Sequence, residues 1–297
     1  MKAVRFQRFG GPEVLEIVEL PDPHPGPGQV RIAVRAAGVN PSDWRKRQGL
    51  MDEELPQTMG NEAAGVVDEL GEGVADVAVG DRVFGLSAAG AAQAELAVLS
   101  HYAPIPPSLD FAAAAALPAA IETATRALDQ LAVRGGTLLV NGASGSVGSA
   151  AVQLAAVRGA RVIGTASRAN HDYLRSLGAE PIAYGSGFVE RVRALAPDGV
   201  DAALDVAGSG VLPELIGLAG GPEHVVTIAD AREHGVRFSS GDAGRALYVL
   251  AEIGELISSG RFSLPVARTF PLADVAQAHR VGEHGHVRGK LVLVVGG

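Results

Sequence analysis

The chain is 297 residues long, 47% hydrophobic and 20% charged, enough apolar material for a packed core and about twice the length of one typical domain. With 25 Lys and Arg against 33 Asp and Glu, its formal charge is −8, the wrong sign for a protein that lives on a phosphate backbone, so nucleic acid is not expected as a partner. Cys is absent, which excludes disulfides, thiolate nucleophiles, iron–sulfur clusters and any zinc site built on sulfur.

The opening run Met1-Lys2-Ala3-Val4-Arg5-Phe6 passes straight into alternating apolar positions, with no apolar block behind its charges to read as a secretory signal. Pro21-Asp22-Pro23-His24-Pro25-Gly26-Pro27-Gly28 restricts the backbone without forming helix, as the connections of a β-rich domain do. Val30–Arg35 alternates with period two, Ala64–Leu70 reads as a second strand, and Gly80-Asp81 turns into a third at Arg82–Gly85. The longest apolar stretch, Phe111–Ile121, is mostly Ala, is broken by Pro118, and is far shorter than the roughly 20 residues of a membrane span. A soluble, cytoplasmic protein with no membrane partner is expected.

From Pro118 the pattern changes to strands alternating with helices, the signature of a parallel sheet covered on both faces. Leu138–Val140, Val162–Thr165, Ala202–Val206 and Val225–Ile228 are the expected strands, and Ala150–Arg158 is a helix stopped by Gly159. The tail Lys290–Val295 is strand-like again and is expected to close back on the first domain.

Between the first of these strands and its helix lies Asn141-Gly142-Ala143-Ser144-Gly145-Ser146-Val147-Gly148. Strand, glycine-rich turn and helix is the context of a dinucleotide site: Gly145 lets the backbone approach a pyrophosphate, Gly148 lets the helix pack on the sheet, and the N–H groups near Ser146 and Val147 face the anion along the helix dipole. Ala143 stands where the usual fingerprint has its first glycine, and a tight strand-to-helix turn in another doubly wound protein is the competing reading. The second strand ends in Thr165-Ala166-Ser167-Arg168, with no carboxylate to bind ribose hydroxyls or repel a 2′-phosphate. Ser167 and Arg168 therefore favour NADPH over NADH, unless Ser167 only caps the next helix and Arg168 is a solvated charge.

Taken together, Ala37-Gly38-Val39-Asn40-Pro41-Ser42-Asp43-Trp44, Gly60-Asn61-Glu62-Ala63-Ala64-Gly65-Val66-Val67, Val79-Gly80-Asp81-Arg82-Val83-Phe84-Gly85, the Gly142–Gly148 turn and His286-Val287-Arg288-Gly289-Lys290 resemble the medium-chain dehydrogenase/reductase superfamily. The branch they resemble is that of the zinc-independent quinone oxidoreductases related to zeta-crystallin. The resemblance implies an α/β fold: a GroES-like β-rich catalytic domain, residues 1–117 and 265–297, and a Rossmann doubly wound parallel sheet binding NADPH, residues 118–264, with the active site in the cleft between them. It also implies a homodimer. The metal ligands of zinc-dependent relatives fall on Asn40 and Asn61, and no His-Glu-x-x-His motif is present, so no metal is expected.

Carried over singly, Asn40 matches an Asn that borders the nicotinamide and can donate to a reacting carbonyl, and Thr123 matches a Thr that contacts the nicotinamide amide. Tyr184 matches a Tyr beside the adenosine phosphate, Ala207 and Gly208 lie in a turn close to the cofactor, and Arg288 and Lys290 either reach the pyrophosphate or are rim charges. Many members carry a Tyr shortly after the Asn; here Trp44-Arg45-Lys46-Arg47 stands instead, and Arg45 either polarises a substrate carbonyl or belongs to a solvated basic turn. The implied activity is hydride transfer from NADPH to a quinone or an α,β-unsaturated carbonyl. An enoyl-thioester reductase or a non-catalytic NADPH-binding protein are the alternatives. Ser144 and Ser146 fall in the expected phosphate turn and no paired base can be identified for them, so nothing suggests a Ser–His–acid hydrolase. Substrate choice is expected in side chains around residues 44–60 and 230–245.

Overall fold

A computed structural model describes residues 1–229, 234–241 and 244–296. In chain order its strands are β1 (Lys2–Phe6), β2 (Glu16–Glu19), β3 (Val30–Val39), β4 (Gln57–Thr58), β5 (Glu62–Leu70), β6 (Arg82–Ser87) and β7 (Leu96–Pro104). There follow β8 (Thr137–Asn141), β9 (Arg161–Ala166), β10 (Ala179–Ala183), β11 (Ala202–Asp205), β12 (Val225–Thr227), β13 (Arg237–Phe238), β14 (Val266–Pro271) and β15 (Lys290–Val294). The helices that matter below are α1 (Pro41–Arg47), α2 (Phe111–Ala115), α3 (Pro118–Gln130) and α4 (Ser146–Val157). Two compact units emerge: Met1–Ala119 with Leu250–Ser258 and Leu264–Gly297, and Ala120–Val249 with Ser259–Ser263.

The first unit is a GroES-like β structure. Its larger sheet runs β14-β15-β3-β5-β6-β7, and β3 pairs also with β7, so β3, β5, β6 and β7 close on themselves and leave no free edge among them. β3 is ten residues long, four more than the period-two pattern of Val30–Arg35 reveals, because Ala36–Val39 is buried throughout and does not alternate. The tail strand β15 does return to this unit, antiparallel to β3 with Val292 opposite Gly38. Val30, Ile32, Val67, Val83 and Leu99 fill the interior, each worth roughly 1.5–3 kcal/mol by burial.

The second unit is the doubly wound parallel sheet, in the order β10-β9-β8-β11-β12-β13. Leu139, Ile163, Ala203 and Val225, one from each central strand, are fully buried, as expected of strands covered on both faces. Helix α4 begins at Ser146, four residues before the apolar pattern suggests, because the first turn is polar and glycine-rich and carries no helical stripe. No helix among the described residues is long and apolar enough to cross a membrane.

Candidate active site

In the second unit, the turn from β8 to α4 is shaped by its glycines for three different reasons. Gly142 has φ +85°, and a Cβ there would also lie 2.9 Å from the Ala207 Cβ. A Cβ on Gly148 would lie 2.3 Å from the Gly142 carbonyl oxygen, so only glycine lets the helix seat. Gly145 is different: its φ is −74°, and a Cβ would meet nothing closer than the Gly142 carbonyl oxygen at 3.8 Å. Packing does not require glycine at 145, and the bare backbone there leaves room for a ligand to approach. Gly145 is the N-cap of α4 without a side-chain cap, and its carbonyl takes the Ser149 N–H at 2.8 Å. The Ser146, Val147 and Gly148 N–H groups are thus the unpaired first turn of a twelve-residue helix, a fitting cradle for the pyrophosphate of a dinucleotide.

The floor of this cradle is a chain of polar side chains that the motif reading passes over. Gly142 N–H donates to Thr165 Oγ1 at 2.9 Å, and Thr165 donates to Asn141 Oδ1 at 2.8 Å. Asn141 Nδ2 donates to Asp205 Oδ1 at 2.9 Å, and Thr227 Oγ1 donates to Asp205 Oδ2 at 3.0 Å. Asp205 Oδ1 also accepts the Ala207 and Gly208 N–H groups at 3.1 Å each. Asn141, Asp205 and Thr227 are the last residues of β8, β11 and β12 and Thr165 is the last but one of the adjacent β9, and each is at least 97% buried. A polar residue at or next to the end of an apolar strand, as in TLLVN, RVIGTA, AALD and VVT, is the sequence signal that could have found them.

At the end of β9, Ser167 is half-buried and Arg168 exposed. Ser167 makes no cap bond to the short helix it precedes. Instead Asn170 Nδ2 reaches both Ser144 Oγ and Ser167 Oγ at 3.3 Å, tying the glycine-rich turn to the end of β9. Ala143 is fully buried, and its Cβ fills the space that a side chain on Gly164 would need. Tyr184 is 54% exposed just past β10. On α3, Thr123 Oγ1 lies 3.4 Å from both Glu122 Oε2 and Arg126 Nη2, beside a buried Glu122–Arg126 ion pair at 2.9 Å.

In the first unit, three chain ends converge because β5 and β15 both run antiparallel to β3. Asn40 follows the end of β3, Glu62 begins β5 and Lys290 begins β15, and all three are at least 93% buried. Lys290 Nζ lies 2.6 Å from Glu62 Oε1 and donates to Asn40 Oδ1 at 2.5 Å, while Asn40 Nδ2 donates to Glu62 Oε1 at 2.7 Å. Glu62 Oε2 accepts the Ala119 N–H at 2.6 Å. Asp43 Oδ2 accepts the Asn40 backbone N–H at 2.8 Å and a Gln93 amide N–H at 3.2 Å, and burial pushes the Asp43 carboxyl up to about 7.

This geometry corrects two expectations. Lys290 is neither a rim charge nor free for a pyrophosphate: it is 2% exposed and its ammonium is committed to Glu62 and Asn40. A Lys in an exposed-looking tail gives no hint of this, since only the β15–β3 pairing brings it inside. The basic run after Trp44 is not a solvated turn either. It is the last turn of α1, where Arg47 is fully buried against Gly10 O, Glu283 and His279, and Lys46 donates to Thr58 O at 2.9 Å. Arg45 is half-buried in the same turn, and Arg288 is exposed. Among the described residues no group of three or more His, Asp or Glu could hold a metal ion. Of the loop around 230–245, residues 230–233 and 242–243 lie outside the described residues.

Fold and site together define a two-domain dehydrogenase/reductase. The model of the alcohol dehydrogenase GroES-like domain matches residues 26–103, and that of the zinc-binding dehydrogenases matches residues 177–293. The chain is 31% identical to mouse quinone oxidoreductase, with 99% of this chain and 98% of that protein aligned. It is 37% identical to the polyketide synthase protein NorB of Streptomyces orinoci over 98% of its own length, and 40% identical to the human synaptic vesicle membrane protein VAT-1 homolog over 67%. It spans 14% of NorB and about half (53%) of the VAT-1 homolog. Among solved structures, Coxiella burnetii quinone oxidoreductase superposes with a TM-score of 0.85 at 33% identity, covering 100% of this chain and 99% of that one. A mycobacterial protein complexed with NADPH gives 0.83 at 30% over 99% and 100%, and CurK enoyl reductase gives 0.87 at 26% over 99% of each.

The chain belongs to the medium-chain dehydrogenase/reductase superfamily. Within it, the chain falls in the zinc-independent, zeta-crystallin-like branch of the quinone oxidoreductases.

Proposed function

We propose that this chain is an NADPH-dependent, zinc-independent reductase that delivers hydride to a quinone or to the β-carbon of an α,β-unsaturated carbonyl. The observation that carries the proposal is a dinucleotide cradle whose Gly145 is not required by packing, beside a strand that ends in Ser167-Arg168 with no carboxylate. Similarity to a mycobacterial protein complexed with NADPH and to two quinone oxidoreductases supports it.

Bound NADPH would supply the hydride and its two electrons. The Ser146, Val147 and Gly148 N–H groups hold its pyrophosphate, with Ala143 and Ser144 shaping the turn between them and β8. Ser167 and Arg168 donate charge-assisted hydrogen bonds to the 2′-phosphate, and Tyr184 packs beside it. Ala207 and Gly208, held by Asp205, give the backbone close approach to the cofactor, and Thr123 contacts the nicotinamide amide. Asn40 donates to the substrate oxygen as negative charge builds there. Arg45 adds a positive field but no proton, since a guanidinium stays protonated, and water supplies the final proton. Residues 1–117 with 265–297 act as the catalytic domain and residues 118–264 as the NADPH-binding domain of a cytoplasmic homodimer.

Alignment with NorB along nearly the whole chain, and the likeness to CurK enoyl reductase, support an enoyl thioester as the second candidate acceptor. The test follows NADPH absorbance at neutral pH with an ortho-quinone and a chelator, with NADH and a short enoyl thioester in parallel. Chelator-insensitive turnover that prefers NADPH and the quinone is expected. Preference for NADH refutes the Ser167–Arg168 assignment, loss of activity with chelator refutes the metal-free one, and turnover of the thioester alone selects the second acceptor.

A further inference from the structure

Asn40 is held on every side but one. Its backbone N–H is bound by Asp43 Oδ2, its Oδ1 accepts from the Lys290 ammonium, and one Nδ2 hydrogen goes to Glu62 Oε1. The other Nδ2 hydrogen has no acceptor among the described residues. An amide is nearly symmetric in shape and can turn over by 180° about its last bond, exchanging donor for acceptor. Here the exchange would set the Asn40 carbonyl against the Glu62 carboxylate and its NH2 against the Lys290 ammonium. Two charge-assisted hydrogen bonds would become two repulsions among buried side chains.

The site is built for this pair. A Cβ on Gly38 would lie 2.2 Å from Glu62 Oε1, so the glycine leaves the room that the carboxylate occupies. Ala119 N–H takes the second Glu62 oxygen and fixes the plane of the carboxylate. We propose that Glu62 and Lys290 are positioning residues that lock the Asn40 amide in one orientation and leave a single N–H free as a donor to the reacting group. The proposal deepens the role given to Asn40 above and rests on that reading for its catalytic consequence, but the lock itself is a property of the free protein.

The test replaces both charges at once, Glu62→Gln with Lys290→Met, which keeps the volumes and strands no buried charge. With its oxygen on the Ala119 N–H, the new Gln turns its NH2 toward Asn40 and favours the flipped amide. The first readout is the side-chain amide of Asn40 in protein labelled with nitrogen-15 at Asn, identified by its loss in Asn40→Asp. In the wild type one proton is shifted by the carboxylate and the pair is well separated, and in the double variant the separation collapses. A wild-type pair at ordinary Asn positions, or a pair unmoved in the double variant, overturns the lock.

The second readout is kinetic, with the acceptor found above. The double variant is expected to lose about tenfold or more in kcat at unchanged NADPH affinity. Adding Asn40→Ala to it should cost little further, because the pair acts through Asn40. Losses that multiply instead point to a merely structural role and overturn the proposal. If no acceptor is reduced at all, the functional reading fails and the amide spectrum alone decides the lock.

Discussion

Replacing Asp205 probes the buried polar chain beneath the nucleotide cradle. Its carboxylate is fully buried and accepts four hydrogen bonds, three on Oδ1 and one on Oδ2. In Asp205→Ala the Ala207 and Gly208 N–H groups, exposed and half-buried, can turn to water, but the buried Asn141 amide keeps only the Ser209 hydroxyl at 3.3 Å and the buried Thr227 hydroxyl loses its bond to the carboxylate. Two buried hydrogen bonds to a carboxylate, at about 1.5–3 kcal/mol each, are lost, for an expected loss of about 3 kcal/mol or more with the small cavity left behind. Asp205→Asn should cost only about 1 kcal/mol. Its amide oxygen serves the three donors on the Oδ1 side, and its NH2 faces Thr227 Oγ1, which turns from donor to acceptor. Urea unfolding followed by far-UV circular dichroism measures both. A loss below about 1 kcal/mol in Asp205→Ala, or equal losses in the two variants, would refute the assignment of Asp205 as the hub.

The two glycines of the turn should separate cleanly. Gly145→Ala is expected to leave stability within about 0.5 kcal/mol while weakening NADPH binding at least tenfold by fluorescence titration, whereas Gly148→Ala lowers stability itself by about 2 kcal/mol. Equal effects on stability would sink the distinction. Asp43 sets a pH dependence: its folded carboxyl lies at about 7 against about 3.9 unfolded, so its stabilising contribution is full below about pH 4 and is lost as the pH rises to about 7. Asp43→Asn, which imitates the protonated form, should therefore gain on the wild type by about 2–4 kcal/mol between about pH 4 and 8, and parallel curves would contradict this. His279 has the opposite sign: burial first and Arg47 second lower it to about 3, so its contribution is present above about pH 6.5 and is lost as the pH falls. Its ring resonances should not move between about pH 5 and 8, and a titrating signal would show that the ring is not buried neutral.

The sequence by itself determined the class of fold and the place of the glycine-rich turn. Apolar runs separated by helices leave little choice but a covered parallel sheet, and Gly142–Gly148 between a strand and a helix marks the turn proposed to take the phosphates, because those signals are local and periodic. Tertiary structure alone decided which polar side chains meet. Asn141, Thr165, Asp205 and Thr227 are separated by 22 to 64 residues along the bonds that join them, yet lie at or next to the ends of neighbouring strands. Lys290 lies 250 residues from Asn40 and reaches it only because β15 pairs with β3. A charge near a chain end reads as solvated until its strand partner is known, and burial is a property of that pairing, which no local pattern of residues carries.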